Sequence, residues 1–380
     1  PPLSLYIHLP WCVQKCPYCD FNSHTLSDNS PIDAYLGSLI KDIYYEGKRV
    51  SGRIIETIFI GGGTPNVFNC DQLGVILEEC KKNFNLVENC EITMECNPSK
   101  NITSNLLGFH FVGINRLSIG AQSFDNALLK NLGRIHGSND IIDTYFFARE
   151  AGFENINLDL MYGLPFQDIL QCERDLSKAI KLDPEHISFY QLTIEENTVF
   201  YKSPPEGMPT SDETFEMQNL GFSMFSDANY NQYEVSAFAK NNFYCLHNLN
   251  YWRFGDYVGI GAGAHGKITN KDGSVIRTEK VKNPREFIKR FMNDKMPVSN
   301  KIEVSKKDLI FEFMLNSLRL QEGISGISFN KRTGQDIENL KDVMQLAIDD
   351  GLLETIDEDH WRPTDHGFRF LNELQLRFLS

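Results

Sequence analysis

Six short apolar runs alternate with amphipathic stretches through the first half of the chain, and that alternation restricts the possible folds more than any other feature. The runs are LSLYIHL (3–9), ETIFIGGG (56–63), CEITMECNP (90–98), INRLSIGAQ (114–122), NINLDLMYGLP (155–165) and EHISFYQLT (185–193). Their near-continuous apolar character is that of parallel strands covered on both faces. Between them Leu73, Ile76, Leu77, Cys80 and Phe84 follow helical spacing, as do Ile169, Cys172, Leu176 and Ile180. Repeated strand-helix units of this kind predict an α/β fold on a parallel sheet, either doubly wound or curled into a full or partial barrel. Cys80 and Cys172 are expected in the core, where a free thiol packs as a small hydrophobe.

In a barrel, ligands sit at the C-terminal ends of the strands. Each of the first five runs ends in residues with chemical potential. After the first comes Cys12-x3-Cys16-x2-Cys19, after the second Gly61-Gly62-Gly63-Thr64-Pro65, and after the third Glu95-Cys96-Asn97-Pro98. The fourth gives Gly120-Ala121-Gln122, and the fifth carries Asp159 before Tyr162-Gly163-Leu164-Pro165. A glycine turn or an aspartate cap alone signifies little. Five such features in register place a shared site on one rim.

Composition excludes several alternatives. With 380 residues, 41% of them hydrophobic, the chain can bury a large core, with one big domain and a smaller one expected. No apolar stretch approaches the ~20 residues that a membrane span requires. No secretory leader is expected at Pro1, in a sequence that does not open with Met. A formal net charge of -14 opposes nonspecific binding of nucleic acid. Nine mostly scattered cysteines in a chain of this length point to a reducing, cytoplasmic compartment rather than a disulfide framework.

Three closely spaced thiols are one ligand short of a closed tetrahedral site. His8 or His24 is near enough in sequence to complete a zinc site. A cubane iron-sulfur cluster held by three cysteines instead leaves one iron open to an exogenous ligand. The C-x3-C-x2-C run followed by an aromatic, on the loop after a first barrel strand, resembles the signature of the radical S-adenosylmethionine (SAM) superfamily. That resemblance implies a [4Fe-4S] cluster on Cys12, Cys16 and Cys19, with SAM chelating the open iron and, on reduction, yielding a 5'-deoxyadenosyl radical. It also implies a partial (β/α)6 TIM-like barrel.

Nearly the whole chain is similar to the HemN/HemW family of oxygen-independent coproporphyrinogen III oxidases and their haem-binding relatives. The motifs carrying the likeness are YIHLPWC, IFIGGGTPN, ECNP, RLSIGAQSF, LGRIHG and NLDLMYGLP. The resemblance implies that Tyr6 and Tyr18 lie against SAM and that Gly62, Gly63 and Thr64 hold its amino acid end. Glu95, Gln122, Arg134 and Asp159 match the remaining SAM-contacting positions. Carboxylates suit ribose hydroxyls and an ammonium group, and Arg134 suits a carboxylate. In LYIHL, Tyr6 and His8 share one strand face, where His8 reads as a hydrogen-bonded lining residue.

Two departures from the oxidase pattern favour the haem-binding relatives. Phe21 stands where the oxidases have a further cysteine, and His247-Asn248-Leu249-Asn250-Tyr251-Trp252 matches the H-N-x-x-Y-W motif associated with haem binding. Imidazole is a natural axial ligand, which makes His247 the candidate haem residue, and aromatic rings can cover the macrocycle. Cys245 is a conceivable thiolate ligand. The implied function is a haem chaperone that binds haem and a SAM-ligated cluster and passes haem to an acceptor protein, with an electron donor if SAM is cleaved. The alternative is oxidative decarboxylation by a coproporphyrinogen oxidase, and no catalytic residue is assigned.

Gly261-Ala262-Gly263-Ala264-His265-Gly266 fits G-x-G-x-x-G, but a dinucleotide fingerprint opens a helix. Here KITNKDGSVIRT follows, reading as two strands about an Asp272-Gly273 turn. The glycines are expected to let this segment pass close to the barrel mouth, with His265 lining the cavity. The expected division is a barrel with its extension over 1–290 and a C-terminal, mainly helical, winged-helix-like module over 300–380. In that module EVSKKDLIFEFMLNSLRL and QDIENLKDVMQLAIDDG read as helices and GLLETIDEDHWRPT as a hairpin. A final helix is predicted with Phe368, Leu371, Leu374 and Phe378 on one face. Its acidity favours a packing or lid role over DNA binding.

Overall fold

A computed structural model describes residues 1–99 and 102–379. The six runs form β1 (Leu3–Leu9), β2 (Ile54–Gly62), β3 (Asn85–Cys96), β4 (Arg116–Gln122), β5 (Asn155–Tyr162) and β6 (His186–Gln191). They pair in parallel, each with the next. Six further strands extend the sheet: β7 (Asn231–Glu234), β8 (Ala237–Ala239), β9 (Asp256–Ile260), β10 (His265–Thr269), β11 (Val275–Lys280) and β12 (Val298–Glu303). The order is β12-β11-β10-β9-β1-β2-β3-β4-β5-β6-β8-β7, and among the described residues its two edges do not pair. The fold is a partial barrel of α/β type, its strand ends curled round a common cavity.

Long helices cover the outer face: α1 (Ile32–Arg49), α2 (Cys70–Asn83), α3 (Thr103–Phe111), α4 (Ser138–Glu150), α5 (Ile169–Leu182) and α6 (Ser211–Asp227). Capping boxes start α2 at Asn69 and Gln72 and α5 at Asp168 and Gln171, where the side chains occupy otherwise orphaned N–H groups. Leu73, Ile76, Leu77 and Cys80 are buried as their spacing predicts, and Cys172 is buried too. In α5, however, Ile169 is exposed and Ile180 half-buried. The inward stripe is Cys172, Asp175, Leu176 and Ala179, because the Asp175 carboxylate accepts from Ser123 Oγ at 2.6 Å and Phe124 N at 2.7 Å. A buried carboxylate fixed at the end of β4 sets the rotation of this helix.

The glycine-rich segment 261–266 follows β9 and leads into a hairpin of β10 and β11, with Gly273 at φ 86° in the turn. Helix α7 (Leu246–Trp252) precedes β9, and α8 (Pro284–Met292) packs Phe287, Ile288 and Phe291 into the main core. Downstream lie α9 (Lys306–Ser317), α10 (Gly326–Thr333) and α11 (Lys341–Asp349), with a small sheet of β13 (Ile324–Ser325), β14 (Leu353–Asp357) and β15 (His360–Pro363). This region has its own core, which also takes in Phe254 and Val275 from the preceding part. The final helix is broken at Phe370 into α12 (Asp365–Arg369) and α13 (Leu371–Leu376). Leu371, Leu374 and Phe378 are buried while Phe368 is only half-buried. No helix among the described residues is long and apolar enough to cross a membrane.

Candidate functional site

The cysteine loop leaves β1 and is pinned at several points. Trp11–Cys12 pairs with His24–Thr25, closing the loop at its base. Lys15 Nζ donates to Phe21 O at 2.9 Å, and Gln14 Nε2 to Gly133 O at 3.0 Å. A Cβ on Gly133, at φ 73°, would lie 2.6 Å from Pro17 Cδ, so the glycine of the LGRIHG motif serves the close approach of this loop. Asn22 Nδ2 donates to Ala262 O at 3.0 Å and Lys282 O at 2.9 Å, tying the loop to the segment after β9. A Cβ on Gly263 would meet that amide at 2.3 Å, and one on Gly261 would meet His8 O at 2.6 Å. The glycines of the G-x-G-x-x-G look-alike thus make room for the cysteine loop and β1, and the hairpin that follows excludes a fingerprint helix.

Cys12, Cys16 and Cys19 are free thiols lining one cavity of about 410 Å3. Among the described residues no three Cys, His, Asp or Glu side chains converge closely enough to hold a single metal ion. A four-iron cluster suits such a set, since it takes each thiolate on a different iron. Burial raises the Cys12 and Cys19 thiols above their ordinary range. Deprotonation would therefore come from metal binding rather than from the protein alone.

Most of the other expected residues converge on this cavity. Its lining includes Tyr18, Gly63, Thr64, Glu95, Gln122, Arg134 and Asp159. Arg134 reaches from Asn97 Oδ1 (2.6 Å) and Gly120 O (3.0 Å) to Cys16 Sγ (3.7 Å). Thr64 Oγ1 accepts from Asn97 Nδ2 at 2.7 Å. A bulge between Ile119 and Gln122 puts Gln122 at φ 67°, and its Oε1 accepts from the Tyr190 hydroxyl at 2.9 Å. Glu95 Oε2 accepts from Gly62 N at 3.1 Å, and burial, offset in part by that bond and reinforced by Asp159, lifts its carboxyl to about 7. Burial also raises Asp159, whose oxygens accept from Ser118 Oγ at 3.0 Å and Asn157 Nδ2 at 2.8 Å. Two poised carboxyls and one guanidinium beside three thiols form a surface for a ligand with both charges, such as an amino acid moiety.

Tyr6 and Gly62 face an adjoining cavity of about 480 Å3, which shares Asp20, Phe21, Glu95 and Trp252 with the first. His8 lines it with both ring nitrogens engaged, by the Tyr6 hydroxyl at 3.0 Å and Asn22 O at 2.8 Å, and burial lowers it to about 4. His247 lines neither cavity. It is fully buried, with Nδ1 2.8 Å from Thr57 Oγ1 and Nε2 3.0 Å from the Tyr251 hydroxyl, and burial lowers it to about 3. Its motif partners Tyr251 and Trp252 do reach the second cavity. Cys245 is buried against Glu91, its thiol raised to about 12 by burial.

Sequence reasoning did not single out Asn97 and Tyr190. Asn97 bridges Thr64 and Arg134, and Tyr190 fixes Gln122. The ECNP motif carried the signal for the first, and nothing marked the second. Arg116, fully buried on β4 and lining the first cavity, is a further cation at its floor.

The family model described as Radical SAM superfamily matches residues 6–177, and that of the HemN C-terminal domain matches 304–370. The chain is 44% identical to the protein named "Heme chaperone HemW" of Escherichia coli, covering 100% of this chain and 99% of that one. It is 35% identical to the protein of the same name of Bacillus subtilis, covering 92% of each. Among solved structures, coproporphyrinogen III oxidase (HemN) from Escherichia coli superposes with a TM-score of 0.85 at 21% identity, covering 100% of this chain and 90% of that one. That last likeness establishes the fold alone.

Proposed function

This chain belongs to the HemW family of the radical SAM superfamily, and from that premise we propose that it is a haem chaperone, binding haem and passing it on. Its cofactors are a [4Fe-4S] cluster, SAM and haem. The observation that carries this reading is the full-length identity to haem chaperones, joined to a cavity in which three free thiols face Glu95, Arg134 and Asp159. Cys12, Cys16 and Cys19 are the proposed cluster ligands. Tyr6, Tyr18, Gly62, Gly63, Thr64, Glu95, Gln122, Arg134 and Asp159 are the proposed SAM contacts. When bound, the cluster supplies an iron with an open position and a source of one electron.

The protein's own groups position and desolvate. Arg134, held by Asn97 and Gly120 O, presents a cation to a ligand carboxylate, and Glu95 an acceptor to an ammonium. The coproporphyrinogen oxidase alternative is not favoured: the full-length likeness in sequence is to haem chaperones, and the likeness to the oxidase is one of fold. His247 belongs to the proposed haem side through the motif it opens, holding Tyr251 at the cavity wall. A haem-acceptor protein, an electron donor for SAM cleavage, a cytoplasmic location and a division into 1–290 and 300–380 complete the proposal. The test is anaerobic reconstitution with iron, sulfide and SAM, measuring haem uptake and porphyrinogen turnover on one sample. Haem uptake without turnover is expected, and robust conversion of coproporphyrinogen would overturn the reading.

A further inference from the structure

Three histidines bear on where haem would bind, and they differ in what they can offer an iron. His247 and His8 each have both ring nitrogens engaged, and His247 lies outside either cavity. His265 begins β10, is exposed, and projects into the second cavity, where neither ring nitrogen has a hydrogen-bond partner among the described residues. It is the imidazole there that can give a lone pair to a metal without breaking an existing bond.

The surroundings suit a flat, apolar ring with anionic substituents. Phe21, Tyr251, Trp252 and Tyr257 contribute aromatic wall, and Phe21, which lines both cavities, is 58% exposed. The Trp252 Nε1–H is buried without an acceptor among the described residues. Lys282 stands exposed at the edge, while Lys267 and Arg277 are committed to Asp256 and Glu312. The volume of about 480 Å3 lies within the range of ligand pockets.

We propose that haem binds in this second cavity with His265 as the protein ligand to its iron, walled by Phe21, Tyr251, Trp252 and Tyr257, with Lys282 pairing a propionate. The inference rests on the haem-chaperone reading and assigns it a place and a ligand. His247 is then a positioning residue: its hydrogen bond to the Tyr251 hydroxyl holds one wall. Haem in this cavity would border the cysteine cavity across Asp20, Phe21, Glu95 and Trp252, which line both.

The test is hemin titration of the anaerobically prepared full chain, followed by optical and electron paramagnetic resonance spectra. Wild type is expected to show an imidazole-ligated ferric haem. His265→Ala should weaken binding by at least about tenfold, the lower bound set by losses at supporting groups. His265→Cys should replace the imidazole signature by a thiolate one, a change that no merely structural role would produce. His247→Ala should weaken binding while keeping the imidazole signature, and cluster absorbance in each variant reports on folding. An unchanged ligand signature in both His265 variants, or loss of imidazole ligation in His247→Ala alone, would overturn the assignment while leaving the chaperone reading intact. A wild type that takes up no haem would overturn both.

Discussion

The contact between Gly263 and Asn22 allows a worked prediction about how the cysteine loop is held. Gly263 lies at φ 76°, and an added Cβ would sit 2.3 Å from Asn22 Nδ2. A side chain in left-handed backbone costs about 1 to 2 kcal/mol. Displacing the amide breaks its bonds to Ala262 O and Lys282 O, each worth about 1 kcal/mol net. Gly263→Ala should therefore cost about 3 kcal/mol. For 380 residues, at about 2.1 cal/mol/K per residue, that corresponds to a fall of about 4 °C in Tm. Gly273→Ala isolates the backbone cost, because Gly273 has φ 86° and nothing within 4 Å of its Cβ position; about 1 to 2 °C is expected. Asn22→Ala alone should cost about 2 kcal/mol, and the double variant about 3 rather than 5, since both changes remove the same two bonds. Calorimetry on cluster-loaded protein measures all four. Additive losses, or equal effects of Gly263→Ala and Gly273→Ala, would refute the claim that this glycine exists to admit the loop.

Other predictions follow from buried charge and polar satisfaction. Ionising Glu95 is opposed by burial, so the unliganded protein should lose stability as pH rises from the ordinary carboxylate range to about 7. A cationic ligand favours the ionised form, so SAM affinity by calorimetric titration should rise through the same window, and Glu95→Gln should flatten both profiles. Lys280 is buried against Asp42 and Glu46, and Lys280→Met should destabilise by about 3 to 5 kcal/mol by denaturant unfolding, because it leaves the buried Asp42 carboxylate without a counter-charge while Glu46 keeps Arg49. Replacing His247 by Ala removes the ring partner of the Tyr251 hydroxyl and one of the two partners of the Thr57 hydroxyl, which keeps Ser4 Oγ, and a loss of about 1 to 3 kcal/mol with cluster content unchanged is expected. Cys80→Ala and Cys172→Ala should leave iron content at the wild-type value, whereas Cys16→Ala should abolish it.

The strands were legible because a sheet covered on both faces leaves an unbroken apolar imprint, and all six runs form, although β3 begins at Asn85, ahead of the apolar run that opens at Cys90. The rim was legible because each strand end carries its own chemical residues. Long-range pairings were harder to read. Nothing local marks that Asp175 turns α5, since its partners Ser123 and Phe124 lie on another unit. The strand β12 falls in a stretch whose residues are mostly exposed, so periodicity gave no sign that it extends the main sheet. The motif around His247 marked the right region, but a motif does not encode which way a ring points. Burial of His247 behind Tyr251 depends on how α7 packs against β1, β2 and β9, and the presence of His265 in the cavity on the pairing of β10 with β9 and β11.

The central claim is a four-iron centre with three protein thiolates and one iron reserved for SAM. Oxygen-free protein, reconstituted and reduced, should give the paramagnetic signal of a [4Fe-4S]+ cluster whose line positions shift when SAM is added. A centre whose signal is indifferent to SAM, or a preparation binding zinc in place of iron, would contradict it.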